Sequence, residues 1–311
     1  MRSGRQGGEP SDPREILTRP APPPDVALRY GTGPDQVADV WLPPRLASPS
    51  TGRAVEAPIV VFLHGGFWRT EYDRTHTGPL AAALAARGFA VCAPEFHRAS
   101  TDGIGWPGTF DDVAAAVDVL PSRVAVAVDA RLGRVAAEVD MRPGLVAEAG
   151  DADPLRVVLA GHSAGGHLAL WAAARHRLPV GAPWRTERPL AVRAVVGLAA
   201  VSDLTACHDE GLGDGAAQAL MGGPPKQLRD RYAAADPARL LPLGTKIWLV
   251  HGTVDDRVPV QMSRAFAARA RALGDDVALR ELPGCEHFGL IDPLSPAWPQ
   301  VLATFAEAAR R

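Results

Sequence analysis

The chain has 311 residues, 47% apolar and 22% charged, with a formal charge of −2. Such a chain is globular and long enough to bury its own core, and its near-neutral balance provides no field for nucleic acid or an anionic membrane. It holds no run of 18 apolar residues, so no transmembrane helix is expected.

Residues 1–24 are polar, rich in Pro, Gly and Arg, and without the apolar middle stretch of a secretory signal. They read as a disordered leader ahead of a single domain over 25–311, and a cytoplasmic location is expected. Segments 26–30 and 36–42 look like two short strands around a Gly-Thr-Gly-Pro-Asp turn. The run at 58–63 is wholly apolar but for its proline, as a strand covered on both faces should be. A helix is expected at 80–87, ended by Gly88, then a buried strand at 89–93. A second helix should cover 110–120 and stop before Pro121. Residues 121–154, rich in Ala, Val and Arg, are expected to be an extended helix or an insertion.

Farther on, strands are expected at 155–160, 192–199, 246–250 and 277–282, and helices at 167–176, 261–273 and 299–310. Residues 203–240, with Gly and Pro clusters, read as irregular and as a candidate small cap. Apolar strands alternating with helices give an α/β class, a mostly parallel twisted central sheet of about eight strands with helices on both faces. In such sheets reactive groups collect beyond the carboxyl ends of the strands.

The segment after 155–160 is Gly161-His162-Ser163-Ala164-Gly165-Gly166, a GxSxG pattern set between a strand and a helix. A turn that sharp strains the backbone at Ser163 and leaves no room for side chains at 161 and 165, which glycine resolves. It lifts the serine hydroxyl above the sheet at a helix N-terminus, where negative charge is favoured. An attacking serine needs donors for the oxyanion it creates. The backbone N–H of Ala164 is one. The loop His64-Gly65-Gly66-Phe67-Trp68, following the strand at 58–63, supplies the other from Gly66 or Phe67. His64 is expected to orient that loop beside the substrate pocket rather than act as a base, and Trp68 to line the pocket.

The order nucleophile, acid, base then selects partners. His287 lies in the loop after 277–282 and is the candidate base. The strand at 246–250 leads into His251-Gly252-Thr253-Val254-Asp255-Asp256-Arg257. Asp255, nearer the strand end, is preferred as the acid that fixes the imidazole tautomer; Asp256 is the second choice, better suited to pairing with Arg257, and Asp203 the third. The cysteines, Cys92, Cys207 and Cys285, form no CxxC pattern, which argues against a disulfide framework or structural zinc. Cys285, two residues from His287, reads as a small half-buried loop residue.

The segments at 64–68, 161–168 and 251–255 resemble the esterase/lipase branch of the α/β hydrolases. Within it they are most similar to kynurenine formamidases (arylformamidases) and their bacterial esterase relatives, which carry HGGxW and GHSAGxHL. Pro94-Glu95-Phe96-His97-Arg98 and Gly105-Trp106-Pro107-Gly108 resemble further segments of that group. The resemblance spans about 26–311 and implies the α/β-hydrolase fold, a triad of Ser163, Asp255 and His287, and an oxyanion hole in the 64–68 loop. It departs from the group in its longer 121–154 segment and in Phe96-His97, which replaces a common Tyr-Arg pair. The implied activity is a serine hydrolase of the carboxylesterase or arylformamidase type acting on a small ester or amide, with no metal or cofactor. Neither a nucleic acid nor a membrane partner is expected, and the only protein partner allowed for is a second copy of the chain. Two other readings stand behind it: a peptidase of the prolyl-oligopeptidase-like type, which shares the HGT-x-D turn, and a non-catalytic binding module on the same fold.

Overall fold

Long apolar runs can be satisfied only by a sheet covered on both faces, and that is how they are used. A computed structural model describes residues 12–44, 57–100, 103, 105–131, 157–188 and 191–310. Among them eight strands form one sheet: β1 (Val26–Arg29), β2 (Val37–Trp41), β3 (Ile59–Leu63), β4 (Ala90–Pro94), β5 (Val157–His162), β6 (Ala194–Leu198), β7 (Ile247–Gly252) and β8 (Val277–Leu282). Their order is β1-β2-β4-β3-β5-β6-β7-β8. β1 and β2, and β2 and β4, run antiparallel, and the remaining neighbours are parallel. Every residue of β3 to β7 is buried, whereas in the edge strand β8 only Val277 is.

The helices are α1 (Gly78–Ala85), α2 (Gly108–Arg131), α3 (Ala164–Ala173), α4 (Leu204–Asp209), α5 (Leu212–Met221), α6 (Arg229–Ala235), α7 (Val260–Ala272) and α8 (Trp298–Ala308). Strand alternation divides the core between the two sheet faces. Ile59, Val61, Leu159, Val195 and Leu249 join the cluster that includes Phe110, Leu168 and Phe266, from α2, α3 and α7. Val60, Phe62, Val158, Val196 and Val250 join Leu80, Leu84, Val301 and Phe305, from α1 and α8. Phe305 is fully buried and meets Phe89 edge-on at 6.4 Å. Phe305→Ala is expected to cost about 3–5 kcal/mol of unfolding free energy, because the rigid sheet beneath cannot collapse into the space; denaturant titration measures it.

Three expectations are corrected. Helix α2 does not stop before Pro121 but runs through it to Arg131. Val113, Val117, Leu120, Val124 and Val128 continue one buried stripe across the proline, and that burial outweighs its cost of about 3 kcal/mol. Of the segment expected to be an extended helix or an insertion, 121–131 is helix, and 132–154 lies outside the described residues. Residues 203–240 are not irregular: they hold α4, α5 and α6, short helices broken by a left-handed run at Gly213, Asp214 and Gly215. Of the expected leader, 1–11 lie outside the described residues, but 12–24 are ordered. Pro13–Leu17 forms a 3-10 turn capped by the Asp12 side chain, with Ile16 buried against the core. The segment is tied down by Arg19 on Asp292 and by the Trp41 indole N–H, which donates to the Pro22 carbonyl at 2.9 Å.

Candidate active site

β5 turns abruptly into α3 at Ser163, whose backbone stands at φ 55°, ψ −117°. This is strained, left-handed territory for a non-glycine residue and persists only because its surroundings impose it. A Cβ at Gly161 would stand 2.2 Å from the Gly165 carbonyl oxygen. One at Gly165 would stand 2.0 Å from the Leu63 carbonyl oxygen and 2.4 Å from that of His64. Glycine at 165 therefore lets the serine turn press directly onto the end of β3, so that the 161–166 and 64–68 segments share one site.

The loop after β3 takes three left-handed residues in succession, Gly66 (φ 110°), Phe67 (φ 50°) and Trp68 (φ 58°). Among the described residues, the N–H groups of Gly66, Phe67 and Ala164 find no backbone acceptor. The helix geometry explains Ala164, the first residue of α3, whose N–H has no carbonyl one turn back. Gly66 and Phe67 line a pocket of about 260 Å³ together with Ser163 and His287.

His64 and Trp68 do not line it, contrary to expectation. The left-handed run turns Phe67 to the pocket and buries Trp68 to 1% exposure, edge-on to His167 at 5.1 Å. His64 lies equally deep, stacked on Phe96, with Nδ1 facing the Gly65 carbonyl at 2.8 Å and Nε2 facing Glu95 Oε1 at 2.9 Å. It braces the loop from beneath. Glu95, unassigned from sequence, also accepts the backbone N–H groups of Arg74 and Phe96. Burial works against its charge, but the hydrogen bond and attraction of His64 hold the carboxyl below its ordinary value.

Asp255 Oδ2 meets His287 Nδ1 at 2.7 Å, while its Oδ1 accepts the backbone N–H groups of Arg257 and Val258. The two other carboxylates considered are engaged elsewhere: Asp256 is exposed, 3.5 Å from Arg257 Nε, and Asp203 caps α4 through the Ala206 N–H. His251 was not assigned a role from sequence although it begins the turn. Its Nε2 donates to the Val258 carbonyl at 2.8 Å and stands 3.3 Å from Asp255 Oδ2. Burial opposes charge on Asp255, but the hydrogen bonds of His251 and His287 prevail and hold its carboxyl far below the ordinary range.

With Nδ1 engaged, His287 presents Nε2 as its free nitrogen. Its ring packs 4.5 Å from that of His162, whose Nε2 faces the His287 carbonyl at 3.1 Å. Burial, reinforced by His287, keeps the His162 imidazole well below its ordinary value, hence neutral. Cys285, half-buried, bonds to the Glu286 carbonyl, and burial pushes its thiol up to about 12.

The BD-FAE family model matches residues 146–270, a stretch that includes Ser163 and Asp255. Esterase LipC of Mycobacterium tuberculosis is 26% identical over 276 residues, which cover 85% of this chain and 59% of LipC. The probable carboxylic ester hydrolase LipM of the same organism is 28% identical over 270 residues, covering 85% of this chain and 56% of LipM. The chain thus spans less than two thirds of the length of these relatives. Among solved structures, a truncated carbohydrate esterase from gut microbiota superposes with a TM-score of 0.67 at 17% identity, over 93% of this chain and all of that one. The thermophilic esterase Est2 of Thermogutta terrifontis, bound to propionate, gives 0.61 at 21% identity over 91% and 92%. The chain has the α/β-hydrolase fold. The strand order places the ends of the parallel strands β3, β5, β7 and β8 along one rim of the sheet, and all four candidate loops follow those ends.

Proposed function

We propose that this α/β-hydrolase is a serine hydrolase that cleaves small carboxylic esters through an acyl-enzyme. One observation carries the reading: Ser163 is held at φ 55° on the wall of a pocket shared with His287, whose Nδ1 is bound by Asp255. His287 Nε2 takes the Ser163 proton as the oxygen attacks the ester carbonyl. The oxyanion is received by the Ala164 N–H and by that of Gly66 or Phe67. His287 then protonates the departing alcohol, activates water against the acyl-serine, and returns the proton to Ser163 as the acid leaves. Asp255 fixes the imidazole tautomer and stabilises its cation, with His251 steadying Asp255.

The names of LipC, LipM and Est2 favour esters. The narrower reading, deformylation of an aryl formamide, is supported only by the resemblance of the 64–68 and 161–168 segments. A pocket of about 260 Å³ suits a small molecule. The test is labelling with a fluorophosphonate probe, the adduct located by mass spectrometry, beside hydrolysis of a short p-nitrophenyl ester and of N-formylkynurenine. An adduct on Ser163 with ester turnover is expected. An unlabelled Ser163, or an adduct confined to another residue, would overturn the assignment, and a clear preference for the formamide would replace ester by amide.

A further inference from the structure

The pocket wall carries three arginines: Arg14, Arg69 and Arg257. Among the described residues Asp214 is the only acidic one on it, and Asp214 is exposed. Arg69 spends one Nη2 on the carbonyl oxygens of Gly213 and Asp214, at 2.5 and 3.1 Å, so it is anchored without being neutralised. Among the described residues the Arg257 side chain forms one ion pair, with the exposed Asp256 3.5 Å from its Nε. Arg14 comes from the 3-10 turn at Pro13–Leu17, stands exposed at the pocket mouth, and makes no ion pair among the described residues. Two lining histidines add no charge near neutral pH. Burial, with the repulsion of His64, pushes His76 down to about 4, and His162 is held well below its ordinary value. Asp255 lies behind His287, its carboxylate already bound by two imidazoles and two backbone N–H groups.

Three arginines on the wall of the pocket that Ser163 also lines, set against the exposed carboxylates of Asp214 and Asp256, give the pocket a net positive lining that suits an anionic ester better than a neutral one. A guanidinium offers paired donors that match a planar carboxylate. We propose that the pocket selects esters carrying a free carboxylate, the half-esters of dicarboxylic acids or acyl esters of hydroxy acids, and that Arg14 on the N-terminal segment is one of the residues that reads that charge. The inference rests on the hydrolase reading above and specifies its substrate class.

The test compares two matched pairs. Monoethyl glutarate is set against its primary-amide analogue, which has the same shape without the charge. The butyryl ester of glycolate is set against that of glycolamide, which moves the carboxylate to the leaving-group side. In at least one pair the charged member is expected to lead by about tenfold in kcat/KM at low salt, mainly through KM, and the lead should shrink as ionic strength rises. Arg14→Gln is expected to cut that ratio severalfold and Arg14→Lys to restore most of it, which a merely structural role would not do. Equal kcat/KM within both pairs, or a lead untouched by salt and by Arg14→Gln combined with Arg257→Gln, overturns the proposal. Calorimetric binding of the same compounds to Ser163→Ala protein reads the pocket without turnover. If wild type hydrolyses none of the four while Ser163→Ala still prefers the carboxylates, the hydrolase reading fails and the charge reading stands. If Ser163→Ala binds charged and uncharged members alike, the charge reading fails alone.

Discussion

Ser163→Ala is expected to lower kcat for a short p-nitrophenyl ester by about 10⁴-fold or more while leaving the fold in place. The size of the effect follows from what the substitution removes and what it spares. Without the hydroxyl no acyl-enzyme forms, and His287 has no proton to take. The donors at Gly66, Phe67 and Ala164 remain, so a residual rate of about 10³–10⁴ over water survives through water attack on a polarised carbonyl. Alanine must adopt the same left-handed backbone as serine, and neither Gly161 nor Gly165 is disturbed, so the unfolding midpoint should move little. Stopped-flow and steady-state assays with a melting curve check both halves. A kcat within tenfold of wild type would show that Ser163 is not the nucleophile.

Asp255→Asn is expected to reduce kcat by about 10⁴-fold. The amide can still accept the Arg257 and Val258 N–H groups through Oδ1, so the turn survives. Its other face then offers N–H₂ to His287 Nδ1, which favours the wrong tautomer, and it supplies no charge to the imidazolium formed during attack. The pH dependence has a definite sign. The folded-state carboxyl lies far below its ordinary value, so the stability its pairing provides is present above that ordinary value. It is lost only as pH falls toward the depressed one. The acid limb of the wild-type pH–rate profile therefore does not belong to Asp255. Asp256→Asn is the control: exposed and paired only with Arg257, it should change kcat by no more than about twofold. If the two substitutions exchanged effects, the acid of the triad would have been misassigned.

What was legible in the sequence is what composition and sterics decide locally. The buried strands announced themselves because β3 to β7 must be apolar on both faces. The Gly161–Gly165 pair could be read as a close approach because no other residue fits there. The direction of side chains was not legible. Trp68 and His64 were expected at the pocket, but their placement depends on three consecutive left-handed residues, and only glycine among them signals that conformation. Arg14 was hidden by its neighbours: a Pro-, Gly- and Arg-rich stretch looks like a leader, yet Ile16, one apolar residue with a deep partner, is enough to dock it. The short helices between β6 and β7 escaped because six to ten residues around Gly213 and Gly215 carry too little periodicity. The braces, Glu95 under His64 and His251 behind Asp255, had signals in PEFHR and HGT-x-D, but only the fold shows which partner each one meets.

The strand order has a consequence for how activity is lost. Ser163 leaves β5, paired on both sides by β3 and β6, whereas His287 follows β8, which pairs only with β7 and is buried at Val277 alone. Amide hydrogens near such an edge exchange through openings far smaller in free energy than global unfolding. Detachment of β8 would carry His287 away from Ser163 while most of the sheet stayed intact. On the proposed reading, strengthening that edge is expected to protect turnover against heat without changing the core, which inactivation half-lives of edge variants would measure.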